Sequence, residues 1–258
     1  MKINISTTEI KNKILDSLNA GTSLSMLRLG DGEMIISNND VEKLESFCIK
    51  QIGRKIKNSE LKLAQKNILD SVLSSNMLGL PTLAHCKKNI LWNNILSYYK
   101  YIHNNHTTQW INKDYCSINS HLDLLYSGEI YSIFEQLNSI VIVSPRDIVN
   151  KLYNKYPNIK NIEWHSIPAE QKYEVVKNNN KINIFDELEN ISNILTSTSR
   201  NGQFLIFGAG PFGKHLGSKF ASAGGVALDM GSVFDLFVGK HTRGPGKGSS
   251  SKIDTHLL

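Results

Sequence analysis

The sequence predicts an α/β fold built on a mostly parallel sheet, and three observations predict it. Short apolar runs such as Ile140 to Val143 recur along the chain, segments with apolar residues at helical spacing lie between them, and glycine-rich turns lead from strand to helix near both ends. Strands that alternate with helices pair in parallel, through right-handed crossovers. With 258 residues, 40% of them hydrophobic, the chain can bury the core of one such sheet. Charged residues at 20% and aromatic residues at 8% exclude wholesale disorder, collagen and a disulfide mini-scaffold.

Each element has its own signal. Ser6 with Glu9 forms a capping box, and Ile10, Ile14, Leu15 and Leu18 then recur at helical spacing until Gly21 stops the helix. Ser25 to Leu29 reads as a strand that empties into the tight turn Gly30-Asp31-Gly32-Glu33. Two helices follow, with Val41, Leu44, Phe47 and Cys48 on the inner face of one and Leu61, Ala64, Ile68 and Val72 on that of the other. Met77 to Leu80 is a strand closed by Pro81, and Asn89 to Tyr101 is a helix. Residues 104–128 are polar and irregular and read as acceptor-binding loops. Beyond them come a strand at Ser139 to Val143, a helix at Arg146 to Tyr156 and a strand at Asn161 to Ile167. A helix at Asp186 to Leu195, a strand at Gln203 to Phe207, a helix at Pro211 to Ser222 and a strand at Val226 to Asp229 complete the pattern. The chain divides into one α/β domain over residues 1–238 and a flexible, basic, Gly/Ser-rich tail over 239–258.

The formal net charge of +6 points to anionic partners. Basic residues are scattered and not interleaved with aromatics on one element, which argues against nucleic acid. Apolar stretches are far shorter than the roughly 18 to 20 residues a bilayer demands, and the first nine residues lack the apolar core of a secretory signal, so a cytoplasmic location is expected. Three cysteines, Cys48, Cys86 and Cys116, are odd in number and lack Cys-x-x-Cys spacing, which fits buried free thiols better than disulfides or zinc. His103 and His106 could share a metal but flank two asparagines in a polar stretch, which favours a solvated face.

Three constellations could carry chemistry. In the first, Arg28-Leu29-Gly30-Asp31-Gly32-Glu33, the two carboxylates can aim hard oxygen ligands at a divalent cation while Arg28 meets a phosphate; a plain acidic turn is the competing reading. The second, Phe207-Gly208-Ala209-Gly210-Pro211-Phe212-Gly213-Lys214, runs from strand through glycines into helix, the context in which bare backbone binds a pyrophosphate. With Asp229 it imitates a dinucleotide fingerprint, which keeps an NAD(P)-binding oxidoreductase or a nucleotide-binding regulator in view. As a Walker A loop it fails, because His215 stands where Ser or Thr should meet magnesium. The third runs from Ala227 through Asp229, Ser232 and Asp235, followed by Lys240 and Arg243, which could close over a diphosphate. A partner-binding protein with a vestigial pocket is the non-enzymatic reading of all three.

Taken in order, Arg-x-Gly-Asp-Gly-Glu at residues 28–33, the Gly208 to Lys214 turn and the terminal Leu-Asp-Met-Gly-Ser-Val-Phe-Asp at 228–235 resemble the GT-D type glycosyltransferases of bacterial cell-surface glycan and glycoprotein pathways. That resemblance implies a Rossmann-like α/β fold with helices on both faces, and a hexosyltransferase using a nucleotide-sugar donor such as a UDP-hexose. It implies a divalent cation, manganese first and magnesium as its substitute, held through Asp31 and Glu33. By the same resemblance the turn with Gly208, Gly210, Pro211, Gly213 and Lys214 lies at the donor diphosphate, and Asp229 with Ser232 lines the site. Arg28, Gly30 and Arg243 are read as further donor contacts, and Asp31, Glu33 and Asp229 as catalytic residues. The acceptor would be a glycan, a lipid-linked sugar or a glycoprotein, of the kind used in capsule or O-antigen synthesis. Asp229, Asp235 and Glu170 are the candidate general bases, and Ile167 to Gln171 resembles the family's central loop. Basic tail residues Lys240, Arg243, Lys247 and Lys252 could hold the enzyme peripherally at the inner face of the membrane.

Overall fold

The computed structural model describes residues 1–38, 41–88, 90–110, 112–170 and 183–240. Its centre is one sheet of β1 (Leu24–Arg28), β2 (Met77–Leu80), β3 (Asp114–Ser117), β4 (Ser139–Ser144), β5 (Asn161–Ser166), β6 (Phe204–Phe207) and β7 (Val226–Asp229). The strand order is β3-β2-β1-β7-β6-β4-β5 and every pairing is parallel. The first and last strands are therefore neighbours in the middle of the sheet, with Leu24 opposite Val226 and Met26 opposite Leu228.

Strand side chains alternate between two faces, and each face has its own core. Leu27, Val143, Leu205 and Ala227 pack toward α2 (Asp31–Asn38), α3 (Val41–Ile52), α4 (Asn58–Ser74), α6 (Ile90–Asn105), α10 (Ile184–Thr196) and α11 (His215–Ser222). Met26, Ile142, Ile206 and Leu228 pack toward α1 (Thr7–Ala20), α7 (Ser120–Tyr126), α8 (Glu129–Phe134), α9 (Val149–Lys155) and α12 (Val233–Phe237). The short α5 (Leu83–Lys88) sits where β2 ends. Helix α1 begins at the Ser6/Glu9 capping box and stops at Gly21 in the left-handed conformation at φ 64°, as its sequence dictates. Among the described residues no helix is long and apolar enough to cross a membrane. The cysteines are free, Cys48 and Cys116 buried and Cys86 half-buried.

The structure departs from the sequence expectation at several elements: α5 and α8 were not expected, and the helix expected from Pro211 begins as a 3-10 turn, with α11 starting only at His215. Three further departures have a visible cause. Asp31 opens helix α2 directly, so the Gly30 to Glu33 segment is not a free turn. The irregular stretch 104–128 contains strand β3 and helix α7. Only Cys116 of β3 is buried; the strand is defined by its ladder to β2 and by the chain start, where Asn4 N donates to Tyr115 O at 2.9 Å, and no apolar run announces it. The helix expected at Arg146 starts only at Val149, because Ser144 Oγ accepts from Arg146 N at 3.0 Å and Asp147 Oδ1 from Val149 N at 2.9 Å, bonds that hold those residues in a turn. The expected basic tail lies outside the described residues from His241 onward, Arg243, Lys247 and Lys252 included.

Candidate active site

Because all strands run the same way, their carboxyl ends share one rim, the place where ligands bind in open α/β sheets. Strand β1 delivers Arg28 to that rim and passes through Gly30 into α2. Glu33 Oε2 reaches back to accept from Gly30 N at 2.7 Å, the second half of a capping box with glycine at its head. Helix α2 lies close to the Pro211 turn; a Cβ on Gly32 would stand 2.8 Å from Phe47 Cζ and 3.0 Å from Pro211 Cγ.

Beneath the rim lies a buried network of four charges. Lys214 is 7% exposed, and its Nζ donates to Asp229 Oδ2 at 2.6 Å and sits 3.1 Å from Glu33 Oε1. Arg28 N donates to the same Oδ2 at 3.3 Å, and Arg28 Nη2 lies 3.5 Å from Oδ1. The guanidinium further donates from Nε to Asp229 O and from Nη1 to Ile118 O, both at 3.2 Å. Burial alone would push the Asp229 carboxyl up, but the charges of Lys214 and Arg28 outweigh it and hold the group below the usual carboxylate range. Burial would likewise lower Lys214, yet Asp229 and Glu33 more than compensate and its ammonium is raised. Both therefore stay charged through the neutral range. Asp229 thus pairs with two cations at once, Lys214 and Arg28.

Asp31 is placed differently. It is exposed at the first turn of α2, whereas Glu33 is 4% exposed and turned inward. Two residues along a helix amount to about 200° of rotation, so the two carboxylates diverge, and the expected convergence on one cation is absent from this arrangement. Among the described residues no group of three His, Cys, Asp or Glu is arranged to hold a metal. A magnesium-like ion needs only one or two protein carboxylates when phosphate oxygens and water complete its shell, and Asp31 fits that role. Glu33 does not fit it, because its two oxygens already face Lys214 and the Gly30 amide.

Strand β6 leads into the glycine turn. Gly208 N donates to Val143 O at 2.9 Å, and a Cβ on Gly208 would meet Phe234 Cδ2 at 2.6 Å and Gly231 O at 2.7 Å. A Cβ on Gly213 would meet Ala209 Cβ at 2.2 Å. These two glycines serve packing. Gly210 is exposed at φ +61° with nothing within 4 Å of a Cβ, so bare backbone faces open space at the rim. Pro211 then begins a 3-10 turn that ends at Gly213, ahead of α11. His215, at the Walker serine position, is buried, and burial pushes its imidazole down to about 4.

The remaining expected residues divide. Ser232 is half-buried beside Gly231, on the same rim. Asp235 is held by Arg146 Nε at 2.7 Å. Glu170 is half-buried after β5, while Gln171 and Arg243 lie outside the described residues. His103 is exposed with its ring edge-on to Trp110 at 5.8 Å, as a surface histidine. The dinucleotide reading loses its acidic residue, since Asp229 is 1% exposed and engaged by Lys214 and Arg28, out of reach of a ribose hydroxyl.

Sequence reasoning missed a second polar group on this rim. His85, in α5, accepts at Nδ1 from Thr82 N at 3.1 Å, and its Nε2 lies 3.1 Å from Asn119 Nδ2, next in sequence to the Ile118 carbonyl that Arg28 binds. Thr82 and His85 form a reciprocal cap, with Thr82 Oγ1 accepting from His85 N at 3.3 Å. A Thr-x-x-His variant of the usual Ser/Thr-x-x-Glu pattern was its signal.

A seven-stranded parallel sheet with helices on both faces and an open carboxylate and bare glycine backbone at its carboxyl rim defines a Rossmann-like α/β domain. More narrowly, the chain belongs to the GT-D-like family: the GT-D fold-like domain matches residues 5–237. No curated protein is detectably similar to it. Among solved structures it is similar to "A New Glycosyltransferase (DUF1792) from Streptococcus sanguinis", at 15% identity and a TM-score of 0.56, over 92% of this chain and 84% of that one. It is also similar to the structure described as "The highly conserved domain of unknown function 1792 has a distinct glycosyltransferase fold", at 15% identity and a TM-score of 0.54, over 96% and 95% of the two chains. The likeness at that identity is one of fold, and the fold is the GT-D glycosyltransferase fold.

Proposed function

We propose that the chain is a glycosyltransferase that moves a sugar, a hexose from a UDP donor in the first instance, to a cell-surface glycan, glycolipid or glycoprotein acceptor with the help of a divalent cation. The carrying observation is the exposed Asp31 at the rim, set over a buried Arg28–Asp229–Lys214–Glu33 network whose charges cancel. A nucleotide diphosphate brought to this rim adds negative charge beside a carboxylate, a combination that calls for a cation. Manganese or magnesium on Asp31 would supply it, neutralising the charge that develops on the leaving diphosphate. Arg28 commits only part of its five-donor fork to protein acceptors and would direct the rest at the diphosphate. Gly210 would let the donor approach the backbone, and Lys214 would act from beneath, holding Glu33 and Asp229 so that α2 and β7 keep the site in shape.

A panel of nucleotide-sugars, with and without manganese, read by nucleoside diphosphate release, tests this reading. One donor is expected to be turned over only with metal, and Asp31→Ala to lower that rate at least 100-fold while leaving thermal stability near wild type. Release from no donor under any metal condition, together with no thermal shift on adding UDP and manganese, would sink it.

A further inference from the structure

A cleft of about 430 Å³ opens between the end of α2 and one stripe of α6, lined by Ser37, Asn38, Asn94, Ser97, Tyr98 and Tyr101. The four α6 residues fall at i, i+3, i+4 and i+7, a single face of that helix. The stripe about 100° further round the helix, Ile95, Tyr99 and Ile102, is fully buried in the core. A solvent-facing helix stripe usually carries lysine and glutamate. This one carries amides, hydroxyls and phenols, and none of the six lining residues is charged.

That lining selects a ligand class. The absence of a cation among the lining residues disfavours a phosphate or nucleotide, and the density of hydrogen-bonding groups disfavours an acyl chain. An uncharged polyhydroxyl compound with an apolar ring face matches both properties: hydroxyls pair with the Asn and Ser groups, and the C–H face of a sugar ring lies on an aromatic ring. Tyr101 is 63% exposed at the cleft, an amphipathic ring offered to solvent with few rotatable bonds to immobilise. Asn38 closes the same eight-residue helix that Asp31 opens, so the cleft lies about 10 Å from the rim along α2. We infer that this cleft is an oligosaccharide-binding subsite, which holds sugars of the acceptor glycan at a distance from the transfer point. Its assignment to the acceptor rests on the glycosyltransferase reading above; its sugar chemistry does not.

The test is a printed array of bacterial glycans probed with the full chain and with Tyr101→Ala, Asn94→Ala and Asp31→Ala, next to acceptor-free donor hydrolysis. Wild type is expected to retain at least one glycan class. Tyr101→Ala and Asn94→Ala should weaken that retention at least tenfold with unchanged melting temperature and unchanged donor hydrolysis, and Asp31→Ala should keep it. An array that retains no wild-type protein overturns the inference, as does retention that both cleft variants preserve. Glycan binding lost in the cleft variants of a protein that hydrolyses no donor leaves the subsite standing and removes the transferase reading; donor hydrolysis with a blank array does the reverse.

Discussion

Lys214 keeps two buried carboxylates, Glu33 and Asp229, in one small volume, and Lys214→Met would leave only Arg28 to balance them. Breaking a buried ion pair from one side costs about 3–5 kcal/mol, so urea unfolding should register a loss of that order. A change below about 1 kcal/mol would mean the network does not hold the fold. Asp229 is depressed and Lys214 raised in the folded state, so their stabilisation is complete between the two ordinary values; it fades only as pH falls below the carboxylate's or rises above the lysine's. His215 has the opposite leverage. Unfolded, it takes a proton near 6.5, and buried it stays neutral to about 4, so the unfolded state binds more protons in that interval. Melting temperature should therefore fall as pH drops from 6.5 toward 4, and His215→Gln should flatten that slope. An unchanged slope in the variant would assign the loss to other groups.

At the scale of elements, the site depends on how closely α2 approaches the turn before α11. Gly32→Ala puts a methyl 2.8 Å from Phe47 and 3.0 Å from Pro211, so it should cost about 1–3 kcal/mol in denaturant unfolding and lower donor turnover with it. Gly210→Ala meets no atom but must hold φ +61° with ψ −164°, a combination essentially confined to glycine, and a loss of about 1–3 kcal/mol is expected there. The same elements tell how far the sequence could be read. Strands β2 and β7 match their expected bounds because each is a fully buried run, apolar up to a hard boundary that is Pro81 after β2 and the Asp229 carboxylate at the end of β7. β3 could not be read, since three of its four residues are only half-buried and its strand character comes from partners about forty and a hundred and ten residues away. Arg28, Gly30, Glu33, Lys214 and Asp229 were legible as candidates, and the structure brings them into contact with one another. The inward turn of Glu33 was not, because whether Gly30 starts a turn or caps a helix depends on a lysine that arrives 181 residues later.

For the whole molecule, the start of the chain protects one edge of the sheet. Residues 4 and 5 cover the β3 edge: Asn4 N donates to Tyr115 O at 2.9 Å, and Asn4 Oδ1 accepts from Tyr115 N at 2.6 Å. Asn4→Pro removes that backbone donor and the amide together. Light scattering on warming should show earlier aggregation than in wild type, and an unchanged onset would mean the edge is protected by other means. A longer-range consequence follows from β1 and β7 lying side by side. A ribosome that has completed α10 and even β6 has still not made the strand that fills the centre of the sheet, and β1 and β6 each wait with an open ladder. The Arg28–Asp229 contact spans 201 residues, so the rim can exist only after nearly the whole described chain has emerged. A chain ended before β7 lacks Asp229 and leaves two strand edges unpaired at the centre of the sheet, so such a fragment is expected to aggregate where the full chain does not.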